Sequence, residues 1–286
     1  MRIRLEYTPR SPRDGVPFTE ERLGRTGTDF EMDTAEIALA LVDLWDIGWP
    51  GGPVGGTLGA ELSTERGVSH TSRKREIIEA VIAPTVDRCR DAGVQVFHCT
   101  HRRFLERYPQ WVASTTEAER RPPDADASAP ASDDRQAANG DRWPPTEWVA
   151  AWREQHRHAV WRMRDWGETQ SQEVYPRIDI PAPVKPRGTD LLAFDAAQFH
   201  RLLSERRIRA LFYMGFESTE CLQFSACGMA QMQPLGYLCV AVRDATTTYE
   251  VAETYGELWR SRAAIIDIEA RWGYSVESSA LTRAIG

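Results

Sequence analysis

The chain has 286 residues, a formal net charge of −7 and a hydrophobic share of 42%, enough to bury one large α/β core or two small ones. The acidic balance argues against nucleic acid as a partner, no apolar run is long enough to span a bilayer, and Met1-Arg-Ile-Arg-Leu lacks the apolar core of a signal peptide. The five cysteines (Cys89, Cys99, Cys221, Cys227 and Cys239) form no CxxC pair. Reduced thiols in a cytoplasmic protein are therefore expected, with no disulfide framework and no zinc site.

Residues 1–34 are polar and rich in Arg, Pro and Gly, and read as a surface arm ahead of one domain over residues 35–286. Glu36-Ile-Ala-Leu-Ala-Leu-Val-Asp43 is a near-continuous apolar run, which predicts a central parallel strand buried on both faces. Trp49-Pro-Gly-Gly-Pro-Val-Gly-Gly predicts a loop. The apolar spacing from Lys74 to Ala92 predicts a helix that Pro84 kinks or splits and Gly93 stops. Val94 to Cys99 predicts a second strand, and strand–helix–strand order predicts a parallel sheet with right-handed crossovers. Residues 112–146 carry Arg120-Arg-Pro-Pro-Asp-Ala-Asp and cannot bury enough apolar surface to order themselves. They read as an exposed insertion, either a lid over the site or a passive loop.

A helix is expected over Thr146–Trp166, an extended segment over Ile180-Pro-Ala-Pro-Val-Lys185, and a helix over Phe194–Arg206. A strand follows over Ile208–Met214, a helix over Glu220–Gln233, a strand over Tyr237–Val242, a helix over Val251–Trp272 and a short strand over Tyr274–Val276. This alternation predicts a three-layer α/β/α sandwich around a mostly parallel sheet of about six strands.

Tyr213-Met-Gly-Phe-Glu-Ser-Thr-Glu-Cys221 joins a strand to a helix and places Cys221 in the first helical turn. Unpaired N–H groups and the positive end of the helix dipole favour thiolate there; the other reading is a small core cysteine. Asp43 closes the first strong strand and Lys185 closes the extended segment. In one crevice the carboxylate would take the thiol proton, and the ammonium would hold the thiolate and an oxyanion. Asp43 could instead cap a turn and Lys185 sit on the surface, and Asp244 reads as a turn or helix-start residue. His98 and His101 read as solvent-facing or pocket-lining, because His-x-x-His alone is a weak metal signal.

These stretches resemble the isochorismatase-like cysteine hydrolases, the group that includes nicotinamidases and N-carbamoylsarcosine amidases. Ala38-Leu-Ala-Leu-Val-Asp43 is similar to the family's first strand and aspartate, Val184-Lys185 to its lysine segment, and Gly215-Phe-Glu-Ser-Thr-Glu-Cys221 to its Gly-x-x-Thr-x-x-Cys nucleophile turn. Gly236-Tyr-Leu-Cys-Val-Ala-Val-Arg-Asp244-Ala resembles the strand that follows. Trp45-Asp46-Ile47-Gly48 stands where the family often has Gln-Asn-Asp-Phe, and the nicotinamidase Asp-x-His metal motif is absent from the sequence.

The resemblance implies an Asp43–Lys185–Cys221 triad and hydrolysis of a linear amide or carbamoyl C–N bond through a thioester. It also implies an oxyanion hole from the backbone N–H groups of Glu217 and Cys221, shaped by a non-proline cis peptide. Trp45, Trp49, His98 and Phe216 are substrate-binding candidates by position. No metal or organic cofactor is expected, and the partners expected are a small-molecule substrate and further copies of the chain as a homodimer or homotetramer. Vinyl-ether hydrolysis, which in this family does not need the cysteine, and a non-catalytic binding protein on the same fold are the alternatives.

Overall fold

A computed structural model describes residues 1–49, 65–121, 143, 145–156 and 175–286. Met1–Ser114 and Arg177–Gly286 form one compact unit, and Thr115–Pro176 forms another. The first unit holds β1 (Arg2–Tyr7), β2 (Thr26–Glu31), β3 (Ile37–Val42), β4 (Gln95–Cys99), β5 (Leu191–Ala193), β6 (Ala210–Phe216), β7 (Leu238–Thr247) and β8 (Gly273–Val276). They make one sheet in the order β2-β1-β8-β7-β6-β3-β4-β5. From β3 to β8 every pairing is parallel, while β1 runs antiparallel to β2 and β8.

The expected sandwich is present, but the sheet has eight strands because the first 34 residues are not an arm. Ile3 and Leu5 point into the core while Arg2 and Arg4 stay exposed, a period-two strand too short in apolar residues to stand out from its polar surroundings. All six residues of β3 are buried. Leu39 and Leu41 join one apolar layer with Ile78, Ile82, Val86, Phe212 and Val240. Ala38, Ala40 and Val42 join the other with Phe97, Phe199, Leu202 and Tyr213.

The helices are α1 (Glu65–Ile77), α2 (Ala83–Asp91), α3 (Arg102–Leu105), α4 (Trp111–Ser114), α5 (Glu117–Arg120), α6 (Thr146–His156), α7 (Ala196–Glu205), α8 (Cys221–Phe224), α9 (Met229–Met232), α10 (Trp259–Arg271) and α11 (Ser278–Ala284); α5 and α6 belong to the second unit, and those of the first cover both faces of its sheet. The α1 and α2 segments are one rod interrupted by a π turn over Ile78–Ile82. Pro84 explains the interruption: it has no N–H to give, and its ring crowds the carbonyl four residues back, so the turn ahead of it widens. The split is therefore where the proline placed it, but the rod begins at Glu65 rather than Lys74.

Two more boundaries differ from expectation. Ile180–Lys185 is not extended: it holds a 3-10 turn over Ala182–Val184, and the edge strand comes later, at Leu191–Ala193. Pro181 and Pro183 cannot donate to a ladder. The expected helix over Glu220–Gln233 is two short helices, α8 and α9. Asp244 does serve a helix start, accepting from the backbone N–H of Ser278 at 2.8 Å where α11 begins.

In the second unit a capping box at Thr116 opens α5, and Trp148 and Trp152 stack on α6 with centroids 5.7 Å apart. Residues 122–142 of the expected insertion, the Pro- and Gly-rich loop after Trp49, and the expected helix beyond His156 lie outside the described residues. Among the described residues no helix is long and apolar enough to cross a membrane.

Gly215 joins the two strands that carry the site. Its φ is +124°, and a Cβ there would lie 2.0 Å from the carbonyl oxygen of Val42 on β3. Gly215→Ala is expected to cost about 3 kcal/mol, the upper end of the usual range, read as a fall in denaturation midpoint.

Candidate active site

The chain runs from β3 to β4 on one side, then returns to place β6 on the other side of β3. Strand order thus reverses at β3, and open α/β sheets place their sites outside the carboxyl ends at such a point. Asp43 directly follows β3, and Cys221 follows β6 after a short turn. The structure brings these two expected residues together.

Asp43 is buried and sits in the left-handed region with φ 46°, which turns the chain as β3 ends. Its backbone N–H donates to Cys99 at 3.0 Å. Its Oδ1 accepts from Thr100 Oγ1 at 2.6 Å, and Trp45 Nε1 donates to that same hydroxyl at 3.0 Å. The indole can only donate, so the Thr100 proton is committed to the carboxylate. Burial pushes the Asp43 pKa above the ordinary carboxylate range, against the opposing pull of His101, the Thr100 hydroxyl, the Cys221 thiol and Lys74. A carboxylate so placed is a stronger base than an exposed one.

Cys221 lies within hydrogen-bonding reach of Asp43, and the backbone N–H of Glu217 faces its sulfur. Burial first, then the charge of Asp43, pushes the thiol well above its ordinary range, against the opposing pull of the Glu217 N–H. Both act against the thiolate expected from the helix dipole, and α8 is a single turn facing two carboxylates. Cys221 opens α8, where N–H groups lack intrahelical acceptors. A cis peptide joins Phe216 to Glu217 at the position the resemblance implied.

The ammonium whose charge acts on Asp43 is that of Lys74, not Lys185. Lys74 Nζ lies 3.2 Å from Glu217 Oε1 and 5.6 Å from the Phe216 ring centroid. Lys185 pairs instead with Asp179 at 2.7 Å and is half exposed. Its carbonyl is tied to Arg90, on the helix entering β4, and its partner Asp179 exchanges hydrogen bonds with Asp46, so its charge reaches Asp46 rather than Asp43.

Lys74 belongs to a cluster that the sequence reading missed. Glu217 Oε1 also accepts from His70 Nε2 at 2.7 Å. Arg73 reaches His70 Nδ1 at 3.2 Å, and a guanidinium can only donate, so His70 carries its proton on Nε2. Burial lowers the His70 pKa, against the opposing pull of Glu217. Burial would raise the Glu217 carboxyl, but Lys74 and His70 outweigh it and bring it to about 2. His70, Arg73 and Lys74 are spaced i, i+3, i+4, which puts them on one helical face. That signal was present once the helix was known to start at Glu65.

The remaining candidates separate. Trp45 stacks near His101 and Phe104, with centroids 6.0 and 5.8 Å away, and reaches Asp43 through Thr100. Phe216 is buried beneath Lys74. Trp49 lies under the Arg75 guanidinium at 5.3 Å and packs on the apolar layer. His98 is not pocket-lining: its position on β4 turns it to the face that carries Arg90, where it bonds Asp190 at 3.1 Å and Arg90 holds the same carboxylate at 2.5 Å. Among the described residues no three His, Cys, Asp or Glu side chains are grouped to hold a metal ion.

No protein-family model matches the sequence, and no curated protein matches it. Solved structures do. A cysteine hydrolase from Pseudomonas syringae pv. phaseolicola is 12% identical, with 90% of this chain and 95% of that chain covered and a TM-score of 0.51. An isochorismatase family protein from Desulfovibrio vulgaris is 17% identical, covering 87% of this chain and 98% of that one, with a TM-score of 0.45. A nicotinamidase from Staphylococcus aureus is 11% identical, with 85% and 97% covered and a TM-score of 0.34. The first likeness establishes the fold.

Proposed function

We propose, on the premise of an isochorismatase-like cysteine-hydrolase fold with Asp43 and Cys221 apposed at its switch point, that this chain hydrolyses a linear amide or carbamoyl C–N bond. Asp43 takes the thiol proton as the sulfur attacks the carbonyl carbon. The oxyanion forms at the backbone N–H groups of Glu217 and Cys221, and Lys74 offsets its charge. Protonated Asp43 then gives its proton to the leaving nitrogen, and ammonia or an amine departs. Water, deprotonated by Asp43, splits the thioester, which releases the acid and restores the thiol. The apposition of Asp43 and Cys221 carries this reading.

Ammonia release from a panel of amides, carbamates and ureas tests it, with intact-protein mass spectrometry for the acyl-enzyme. Turnover that survives Cys221→Ser would overturn it in favour of ether hydrolysis. The cysteine itself can be read without a substrate. Cys221 is partly exposed while the other four cysteines are buried, so limiting iodoacetamide should modify Cys221 first. Peptide mapping that finds any of the four ahead of it would remove the nucleophile.

A further inference from the structure

Glu217 touches the proposed machinery twice. Its backbone N–H faces the Cys221 sulfur, and its carboxylate holds Lys74 at 3.2 Å. The carboxylate is braced from behind. His70 donates to it at 2.7 Å, Arg73 fixes His70, and Arg73 in turn grips Thr247 Oγ1 at 2.9 Å and the Thr248 carbonyl at 2.7 Å, at the end of β7. The end of β7 is tied back to the nucleophile turn: Ser218 N–H donates to the Thr247 carbonyl at 3.0 Å, and the Thr219 and Thr248 hydroxyls are 2.7 Å apart. The second carboxylate oxygen, Oε2, is enclosed and has no hydrogen-bond partner among the described residues. The charge of Glu217 therefore falls on Lys74 and His70.

We infer that Glu217 is a positioning residue of this site, one that fixes and shares the Lys74 ammonium facing Asp43 while its N–H is held on the sulfur. The inference rests on the proposed role of Cys221. Its consequence follows from counting charges. Asp43 is faced by Cys221, Thr100, His101 and Lys74, Cys221 by Asp43 and Glu217, and Glu217 by Lys74 and His70 with Arg73 behind. One ammonium thus serves two carboxylates. It offers Asp43 only part of its field, and the charges of Asp43 and Glu217 both weigh against a thiolate at Cys221.

The pH dependence of iodoacetamide alkylation at Cys221, followed by mass spectrometry, tests this without a known substrate. Glu217→Gln should lower the alkylation midpoint by about one pH unit, a roughly tenfold faster reaction at a fixed pH below it. Lys74→Met should raise the midpoint by a similar amount, and Lys74→Arg should move it less. The double variant Lys74→Met, Glu217→Gln should return towards the wild-type midpoint. Should Glu217→Gln fail to fold, Glu217→Asp, which withdraws the carboxylate by one methylene, should move the midpoint in the same direction. An unmoved midpoint in a folded Glu217 variant would overturn the inference while leaving the nucleophile intact. A wild-type Cys221 that alkylates at no pH would overturn the nucleophile and the inference together.

Discussion

Asn at position 43 is expected to lower kcat/KM by about a thousandfold, because the variant keeps the shape of the carboxylate but cannot take the thiol proton. Once a substrate is in hand, steady-state rates read this directly, and a variant within tenfold of wild type would mean that another group is the base. The pH profile should show the same residue. The Asp43 pKa is raised by burial above 3.8, so activity should fall, as pH drops, at a higher pH than for an exposed carboxylate. Thr100→Val removes a donor to the ionised form and should push that limb higher still. Stability moves the other way. A carboxylate whose folded pKa lies above its unfolded value contributes stability below the unfolded pKa, and that contribution is lost as pH rises through the folded value. Asp43→Asn should therefore melt at a higher temperature than wild type near neutral pH, the usual sign of a strained functional residue.

Lys74→Met is expected to cost about a hundredfold in kcat, the scale of losing one group that stabilises developing charge. Lys185→Met should leave kcat unaffected and change stability by less than about 1 kcal/mol, because its ammonium is half exposed. The two lysines thus make opposite forecasts from the same substitution. A full loss at Lys185 with Lys74 dispensable would restore the order Asp43, Lys185, Cys221.

Asp43 and Cys221 were legible because each depends on chain that is close by: an apolar strand and its end, a glycine and the turn after it. Lys74 depends on a contact with Glu217 across 143 positions, and no spacing in the sequence carries that. Lys185 misled for a physical reason. A short run with two prolines has the extended look of a strand end, yet prolines keep it out of the ladder, and the true edge strand formed from Leu191-Leu-Ala further on. β1 and β2 were hidden by polar composition; they are held in the sheet by their antiparallel pairing and by the bridge of Glu6 to Ser275 on β8, which only the fold supplies. His98 was given a site role for being polar near a strand exit, whereas strand alternation turned it to the face that carries a partly buried arginine and a buried aspartate.

The π turn at Ile78–Ile82 sets a phase. Along the rod His70, Lys74, Ile78, Ile82 and Val86 recur at every fourth position, and all but the partly buried Lys74 are buried. In a regular helix each step of four overshoots a full circle by about 40°, so four steps would carry the row about 160° around the rod. A turn with i→i+5 bonds winds more slowly and takes back part of that drift. The polar end of the rod therefore stays aimed at the crevice while the apolar end stays on the sheet. Removing one residue from the wide turn would rotate the Lys74 end by about 100°, leaving every strand in place and the crevice without its cation.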